Sequence, residues 1–175
     1  MTRADNQQER LKINNIQPWY ITGFTEGEGT FHVAISYDSK TRFGIKIIPE
    51  FHINQSYLRK VLLEKIKDYF DCGYIRANHA QNKKDTTFVY VVRNRNDLKN
   101  KIIPFFQKYP LKSKKNNAFM IFTKIVNLMS NGKHYNYQGI KLMIKLAFTM
   151  NEGGKYRKLN QEDVIKSLNS SETIR

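Results

Sequence analysis

The hydrophobic pattern of the chain changes several times between strand-like alternation and helix-like spacing. Apolar residues alternate with polar or small ones at Phe31, Val33, Ile35 and Tyr37, and again at Ile45, Ile47, Phe51 and Ile53. Alternation over this length is typical of strands with one buried face. The sequence therefore predicts a first hairpin that turns within residues 38–42.

Helix-like spacing follows the first hairpin, and a second hairpin follows that helix. Residues 57–70 place six apolar side chains on one face, and strands are predicted at residues 74–78 and 86–92. Three more helical stretches are predicted: one capped by Asn96 and Asp97, one over residues 118–129 and one over residues 140–150, before a polar tail at 160–175. This order predicts an α+β fold. Its αββαββα core has an antiparallel sheet covered by helices on one face and polar on the other, with further C-terminal helices.

The stretch before the first strand reads as a helix that ends at glycines. Pro18 suits the first helical turn, and Gly27 and Gly29 supply the permissive backbone with which a helix can end. Gly23 and Gly27 lie four residues apart on one face, where the lack of Cβ atoms lets another backbone approach closely. Glu28 follows at the helix C-terminus, where the helix dipole favours a cation. Taken alone, the run is more typical of an ordinary C-cap with solvated glutamates.

Charge and composition indicate a polyanionic binding partner. The 175 residues include 30 Lys and Arg against 15 Asp and Glu, a formal net charge of +15, so nucleic acid is the first candidate. The 40% hydrophobic content predicts one globular domain at residues 16–175, after a flexible lead-in at residues 1–15. The N-terminus is too polar for a secretory signal and no run approaches about 18 apolar residues. We therefore expect an intracellular protein without a membrane partner, with a mitochondrion or chloroplast as a compatible compartment.

The polar sheet face carries residue types that read base edges. These candidates are His32, Ser36, Asp38, Lys46, Glu50, His52, Asn54, Arg76 and Asn78. Arg, Asn and His interleaved on neighbouring strands are typical of a β-ribbon in a major groove, whereas Lys, Glu and Thr would suffice for a solvated face. We therefore interpret the nine residues as DNA-binding.

Residues 21–29, Ile-Thr-Gly-Phe-Thr-Glu-Gly-Glu-Gly, resemble the LAGLIDADG motif of homing endonucleases, with Glu at both acidic positions. The motif occurs once. The resemblance implies that Mg²⁺ is bound by Glu28 and by the backbone carbonyl of Gly27. It also implies a homodimer, which counting requires as well, because cutting two strands needs two carboxylate ends. The expected dimer interface comprises Thr22, Gly23, Glu26 and Gly27.

The resemblance extends to three further catalytic positions. Gln55 and Arg59 match positions where a glutamine and a basic residue order active-site water and phosphate. Residues 110–115 match the segment whose lysine reaches the scissile phosphate. We assign that role to Lys114, with Lys115 open because the register is uncertain by one residue. Without the resemblance, these lysines are more typical of a solvated helix start.

These observations predict a site-specific homing endonuclease that uses Mg²⁺, as a homodimer, to make a double-strand break in a long pseudo-palindromic DNA site. Two alternatives stay open. One is a maturase that binds its own intron RNA, since the same fold and charge would bind structured RNA. The other is a cleavage-inactive DNA-binding regulator, against which the carboxylate of Glu28 argues because binding alone needs no carboxylate beside phosphates.

Overall fold

Four antiparallel strands form one sheet in the order β1-β2-β4-β3. The computed structural model describes residues 16–79, 81, 86–153 and 157–173, so the expected lead-in at residues 1–15 lies outside the described residues. The strands are β1 (Gly29–Tyr37), β2 (Ile45–Ser56), β3 (Tyr74–Ala77) and β4 (Thr87–Val92). β1 and β2 form the long predicted hairpin, in which Phe31 lies opposite Phe51. The predicted α+β architecture is confirmed.

Helices cover one face of this sheet. They are α1 (Pro18–Glu28), α2 (Lys60–Phe70), α3 (Arg95–Asp97), α4 (Ile103–Lys108), α5 (Lys115–Ser130), α6 (Tyr137–Phe148), α7 (Met150–Gly153) and α8 (Gln161–Thr173). A π-helix, Leu98–Ile102, joins α3 to α4, and 3₁₀ turns at Tyr57–Arg59 and Lys133–Tyr135 precede α2 and α6.

The core is built around an aromatic cluster on β1. The rings of Phe51, Phe106, Phe119 and Phe122 lie 5.1–5.4 Å from the ring of Phe31, which is 1% exposed. Such ring pairs add to the free energy gained by burying apolar area. The cluster therefore fixes β1, the strand that directly follows α1, against α4 and α5.

The structure differs from the predicted elements in several places. In the helix predicted over residues 57–70, the buried residues are Leu63, Ile66 and Phe70, whereas Leu58 and Val61 are exposed. The helix predicted to be capped by Asn96 and Asp97 is capped instead by Asn94, whose side chain accepts hydrogen bonds from both of their backbone N–H groups. The predicted polar tail is helix α8, whose Val164 and Leu168 are fully buried and whose residues contact α6. These two apolar residues, four positions apart on one face, pack a mostly polar helix on the core together with the partly buried Ile165.

The chain leaves α1 through ordinary extended backbone. Gly29 has φ −90° and ψ 156°, and α1 includes Gly27. A Cβ at position 29 would lie 2.5 Å from Cγ2 and 2.8 Å from the carbonyl oxygen of Thr25. The expectation that these glycines provide a special backbone conformation was therefore wrong, and close packing against Thr25 is the reason for glycine at position 29.

Gly73 and Gly132 provide a matched test of close packing around glycine. Both have left-handed φ values, +74° and +71°, but a Cβ on Gly73 would lie 2.5 Å from the carbonyl oxygen of Val91, whereas the nearest atom at Gly132 is a ring carbon of Tyr135 at 3.7 Å. Alanine should lower the free energy of unfolding by roughly 1–2 kcal/mol at Gly132, from backbone strain alone, and by clearly more at Gly73. Urea unfolding measures both variants, and equal losses would contradict the clash.

Candidate functional site

A cleft of about 300 Å³ opens where α1 meets β1. Its lining residues are Gly27, Glu28, Gly29, Thr30, Phe31, Asn54, Lys115 and Asn151. Glu28 is exposed at the last position of α1. The cleft therefore brings a carboxylate, a lysine and two side-chain amides to the C-terminal end of a helix.

Lys115, and not Lys114, reaches this cleft. The Nζ of Lys115 donates hydrogen bonds to the backbone carbonyl oxygens of Thr25, at 2.8 Å, and of Gly29. Carbonyls at a helix C-terminus favour a cation. Burial lowers the pKa of Lys115, and the nearby glutamates at the end of α1 partly oppose this effect. Lys114 is exposed and directly precedes α5, so the lysine that the structure places beside Glu28 is the one the sequence left as the second choice.

Glu26 holds the segment that precedes α5. Its carboxylate accepts hydrogen bonds from the backbone N–H groups of Lys112 and Ser113 and from the Ser113 hydroxyl. Burial acts to raise the pKa of Glu26, but these hydrogen bonds hold it below its usual value. Thr22 adds a second connection, since its hydroxyl donates to the carbonyl oxygen of Tyr109 at 3.0 Å. Both side chains, which were expected at a dimer interface, make these contacts within their own chain, and their place at an interface stays a prediction.

Gly23 and Gly27 lie on the open side of α1. Apart from the adjacent residues and the nearby backbone of α1 itself, no atom of the described residues lies within 4 Å of the place where a Cβ would stand on either glycine. On the same helix Trp19 and Tyr20 are 54% and 52% exposed. This open face of α1, formed by Trp19, Tyr20, Gly23 and Gly27, is apolar and gives a second helix access to the backbone. The sequence did not assign Trp19 or Tyr20 to an interface.

The other two predicted catalytic residues lie outside the set that lines the cleft. Gln55 stands near the end of β2, beside the cleft residue Asn54, and its Oε1 accepts a hydrogen bond from the backbone N–H of Ser56 at 2.8 Å. Arg59 is exposed in the 3₁₀ turn after β2. Their catalytic roles stay predictions.

The outer sheet face, which points away from the helices, contains most of the predicted DNA-binding residues. His32, Ser36, Lys46, Glu50, His52, Asn54 and Arg76 share it by register. Asp38 and Asn78 lie just beyond the strand ends. Val89 and Val91 are also buried on this face, outside the main core. Buried apolar side chains therefore occupy part of the outer face, which is less uniformly polar than the alternation predicted.

Asp38 and Arg76 make local contacts at the sheet margins. A carboxylate oxygen of Asp38 accepts a hydrogen bond from the backbone N–H of Lys40 at 3.0 Å, and the other lies 3.9 Å from the Nζ of Lys46. The Nη1 of Arg76 donates to the backbone carbonyls of the next two residues at 3.0 and 3.2 Å. Because exposed ion pairs contribute little free energy, Lys46 remains available to a phosphate or a base.

Glu50 differs from its neighbours on the outer face because it is buried. It is 6% exposed, and its Oε1 accepts a hydrogen bond from the Nε of Arg93, while its Oε2 lies 2.9 Å from the Nε2 of His52. Burial acts to raise the pKa of Glu50, but His52 and Arg93 hold it below its usual value. Strand alternation placed Glu50 on the correct face. The alternation did not indicate that Glu50 would pair with Arg93, the residue directly after β4.

His32 lies on the same face, opposite Glu50 on β2. Burial lowers the pKa of His32, and the positive charge of Arg157 lowers it further. The lowered pKa favours the neutral ring, which offers one donor and one acceptor to a partner.

Asn151 is a cleft residue that sequence reasoning missed. Its Nδ2 donates to the carbonyl oxygen of Phe31 at 3.1 Å, and its backbone has the left-handed φ of +48°. The contact spans 120 residues of sequence, so no local sequence pattern could predict it.

No helix within the described ranges has the length and apolar character needed to cross a membrane.

Comparisons with known proteins identify the family of the chain. The sequence model of the family described as LAGLIDADG endonuclease matches residues 21–126. The probable intron-encoded endonuclease 2 of Neurospora crassa is 33% identical over 139 residues, which cover 79% of this chain and 30% of that protein. The chain spans less than a third of the length of the first curated relatives that it matches.

Two solved structures share the fold over most of the chain. The homing endonuclease I-TnaI has a TM-score of 0.76 at 32% identity and covers 90% of this chain and 99% of its own. The archaeal intron-encoded homing endonuclease I-Vdi141I, solved in complex with DNA, has a TM-score of 0.78 at 34% identity and covers 89% and 96%. Because the family model matches more than half of the residues, including Glu28 and Lys115, the chain belongs to the LAGLIDADG endonuclease family.

Proposed function

We propose that the protein is a site-specific homing endonuclease that makes a double-strand break in a long pseudo-palindromic DNA site, as a homodimer with Mg²⁺. The observation that carries this proposal is that Glu28 and Lys115 share one cleft, directly beside the open face of α1. The DNA complex of I-Vdi141I supports double-stranded DNA as the substrate. The formal charge of +15 is of the sign and size that binding to a phosphate backbone requires.

The cleft contains oxygen donors of the kind that Mg²⁺ prefers. Glu28 offers an exposed carboxylate, and Gly27, in the same lining, offers a backbone carbonyl. In the part of the chain that the structure describes, no three His, Cys, Asp or Glu side chains cluster as metal ligands. One chain therefore supplies only part of a ligand set, and a second Glu28 completes it. A bound Mg²⁺ would activate water and shield the leaving oxygen.

Lys115 provides the fixed positive charge of the cleft. Its ammonium group is held by the carbonyls of Thr25 and Gly29, and the backbone just before it is held by Glu26. A cation that is already oriented in a partly buried site stabilises developing phosphate charge without reorganisation. Lys115 thus contacts the scissile phosphate in this proposal, while Gln55 and Arg59 order water and phosphate at the margin.

The homodimer forms through the open face of α1. Packing of this face on its own copy is isologous, so one two-fold axis relates the two helices and the two Glu28 side chains. The exposed rings of Trp19 and Tyr20 become buried at such an interface. A two-fold symmetric protein reads a DNA site with the same symmetry, which is why the target is pseudo-palindromic.

Substitution Glu28→Gln tests the metal-ligand role. The amide is nearly isosteric but uncharged, so Mg²⁺-dependent cleavage of DNA spanning the intron-free insertion site should fall by roughly 10³-fold or more. DNA affinity measured in Ca²⁺ should stay within a few-fold of the wild type. Cleavage at the wild-type rate would remove Glu28 from the metal site.

Lys115→Met and Lys114→Met form a matched pair that decides between neighbouring lysines. Each removes one charge from an unbranched side chain. Lys115→Met should slow single-turnover cleavage by roughly 10²–10³-fold, as loss of one oriented charge-stabilising group does. Lys114→Met should change it only a few-fold. The reverse ranking would restore the assignment made from sequence.

Substitution Gly23→Leu tests the dimer interface. A branched side chain on the open face separates the two helices, and overpacking of this kind costs roughly 1–3 kcal/mol at core sites. Sedimentation at micromolar concentration should show a dimer for the wild type and for Gln107→Leu, which adds the same side chain at an exposed position of α4. Gly23→Leu should shift the protein toward monomer. A monomeric wild type that cuts both strands with first-order dependence on protein would contradict the dimer.

A further inference from the structure

A buried carboxylate on the outer sheet face is unexpected on a surface that binds a polyanion. Glu50 is 6% exposed, and burying a charge is unfavourable unless that charge is paired. Arg93 supplies the ion pair at one carboxylate oxygen, and the Nε2 of His52 lies 2.9 Å from the other. Because both oxygens are covered by neighbouring side chains, the carboxylate of Glu50 is poorly placed to contact a base directly. The pairing also removes the repulsion that an isolated carboxylate would exert on phosphates.

The guanidinium group of Arg93 is hydrogen-bonded through its Nε, and about half of the side chain remains exposed. Its Nε donates to Glu50, yet its side chain remains 52% exposed. Since Val92 pairs with Phe51, Arg93 continues the β4 register and lies opposite Glu50 on the outer face. A depression of about 470 Å³ adjoins it, with Lys46, Asn94 and Asn96 among its lining residues. Arg93 itself lines this depression, whose other lining residues include the apolar Ile47, Leu98 and Met129. The part of its side chain that is not paired with Glu50 therefore remains exposed beside a surface of mixed polar and apolar character.

We propose that Arg93 reads a guanine in the major groove and that Glu50 is the positioning residue that orients it. Two terminal guanidinium nitrogens match O6 and N7 of guanine when the plane of the group has the correct orientation. An ion pair through Nε fixes that plane before DNA arrives, so less side-chain freedom is lost on binding. The inference rests on the proposed endonuclease function and adds the identity of one base that the site recognises.

The register also places this base relative to the cleavage site. Asn54 lines the cleft, and Glu50 lies four positions before it on β2, a distance of roughly 13 Å at about 3.3 Å per residue. Base pairs of B-DNA are about 3.4 Å apart. The guanine is therefore expected roughly four base pairs outward from the cut, once in each half-site.

The test is selection from a library of duplex DNA randomised across the half-site, with binding in Ca²⁺ so that no strand is cut. The wild type should enrich guanine at the predicted position. Arg93→Lys keeps the charge but lacks the planar fork, so it should lose the guanine preference there, a loss of roughly 5- to 150-fold in discrimination, and leave other positions unchanged. Arg93→Ala should lose it to the same extent.

Glu50→Gln separates positioning from structural support. It should weaken the guanine preference at the same position, and it should cause no further loss when combined with Arg93→Lys, because the two residues act as one unit. A structural role alone would instead lower the thermal midpoint and reduce affinity equally for all sequences. Arg42→Ala, which removes an exposed arginine of the β1–β2 hairpin, serves as the control for a uniform effect.

The possible failures can be told apart. A wild type that enriches no sequence at all would overturn the proposed function together with this inference. A wild type with clear specificity and an unchanged profile in Arg93→Lys would overturn the inference alone. A preference that Arg93→Lys removes but Glu50→Gln preserves would overturn the positioning role of Glu50.

Discussion

The geometry of the cleft depends on a set of hydrogen bonds that joins α1 to a segment more than 80 residues away. Glu26 binds the backbone of Lys112 and Ser113, and Thr22 binds the carbonyl of Tyr109. Together they fix the start of α5, from which Lys115 reaches back to the end of α1. A carboxylate at position 26 thus contributes to the site through position and not through contact with the reacting atoms. The two acidic residues of the motif make different contacts: Glu28 lines the cleft, and Glu26 binds the segment that precedes α5.

This arrangement leaves α1 with two sides of different character. One side, with Ile21, Thr22 and Thr25, is buried within its own chain, and the other is open at Gly23 and Gly27. The sheet shows a similar division, because its inner face belongs to the aromatic core and its outer face contains the polar row around Glu50. The surfaces that hold the chain together therefore differ from those proposed to bind DNA and a second copy of the chain.

Local patterns predicted most of the fold and part of the site. Alternation on β1 and β2 identified the sheet, its inner face and its outer residues, and the glycine spacing identified the open side of α1. Periodicity describes only neighbours along the chain, so it could not show that Glu26 contacts Ser113 or that Asn151 reaches Phe31. It also assigned Glu50 to a face without indicating that this residue is buried and paired with Arg93, which lies 43 positions later in the sequence.

In the proposed homodimer, the pairing of two identical open faces of α1 has a consequence for how the target could change over time. When two identical chains contact two half-sites, every substitution in a base-reading residue alters the preference at two symmetry-related positions together. A base change in one half-site cannot be matched by an amino-acid change in one protomer alone, because both protomers have the same sequence. Independent adaptation of the two halves requires duplication of the gene and fusion of the copies, after which each copy of a residue such as Arg93 can diverge separately.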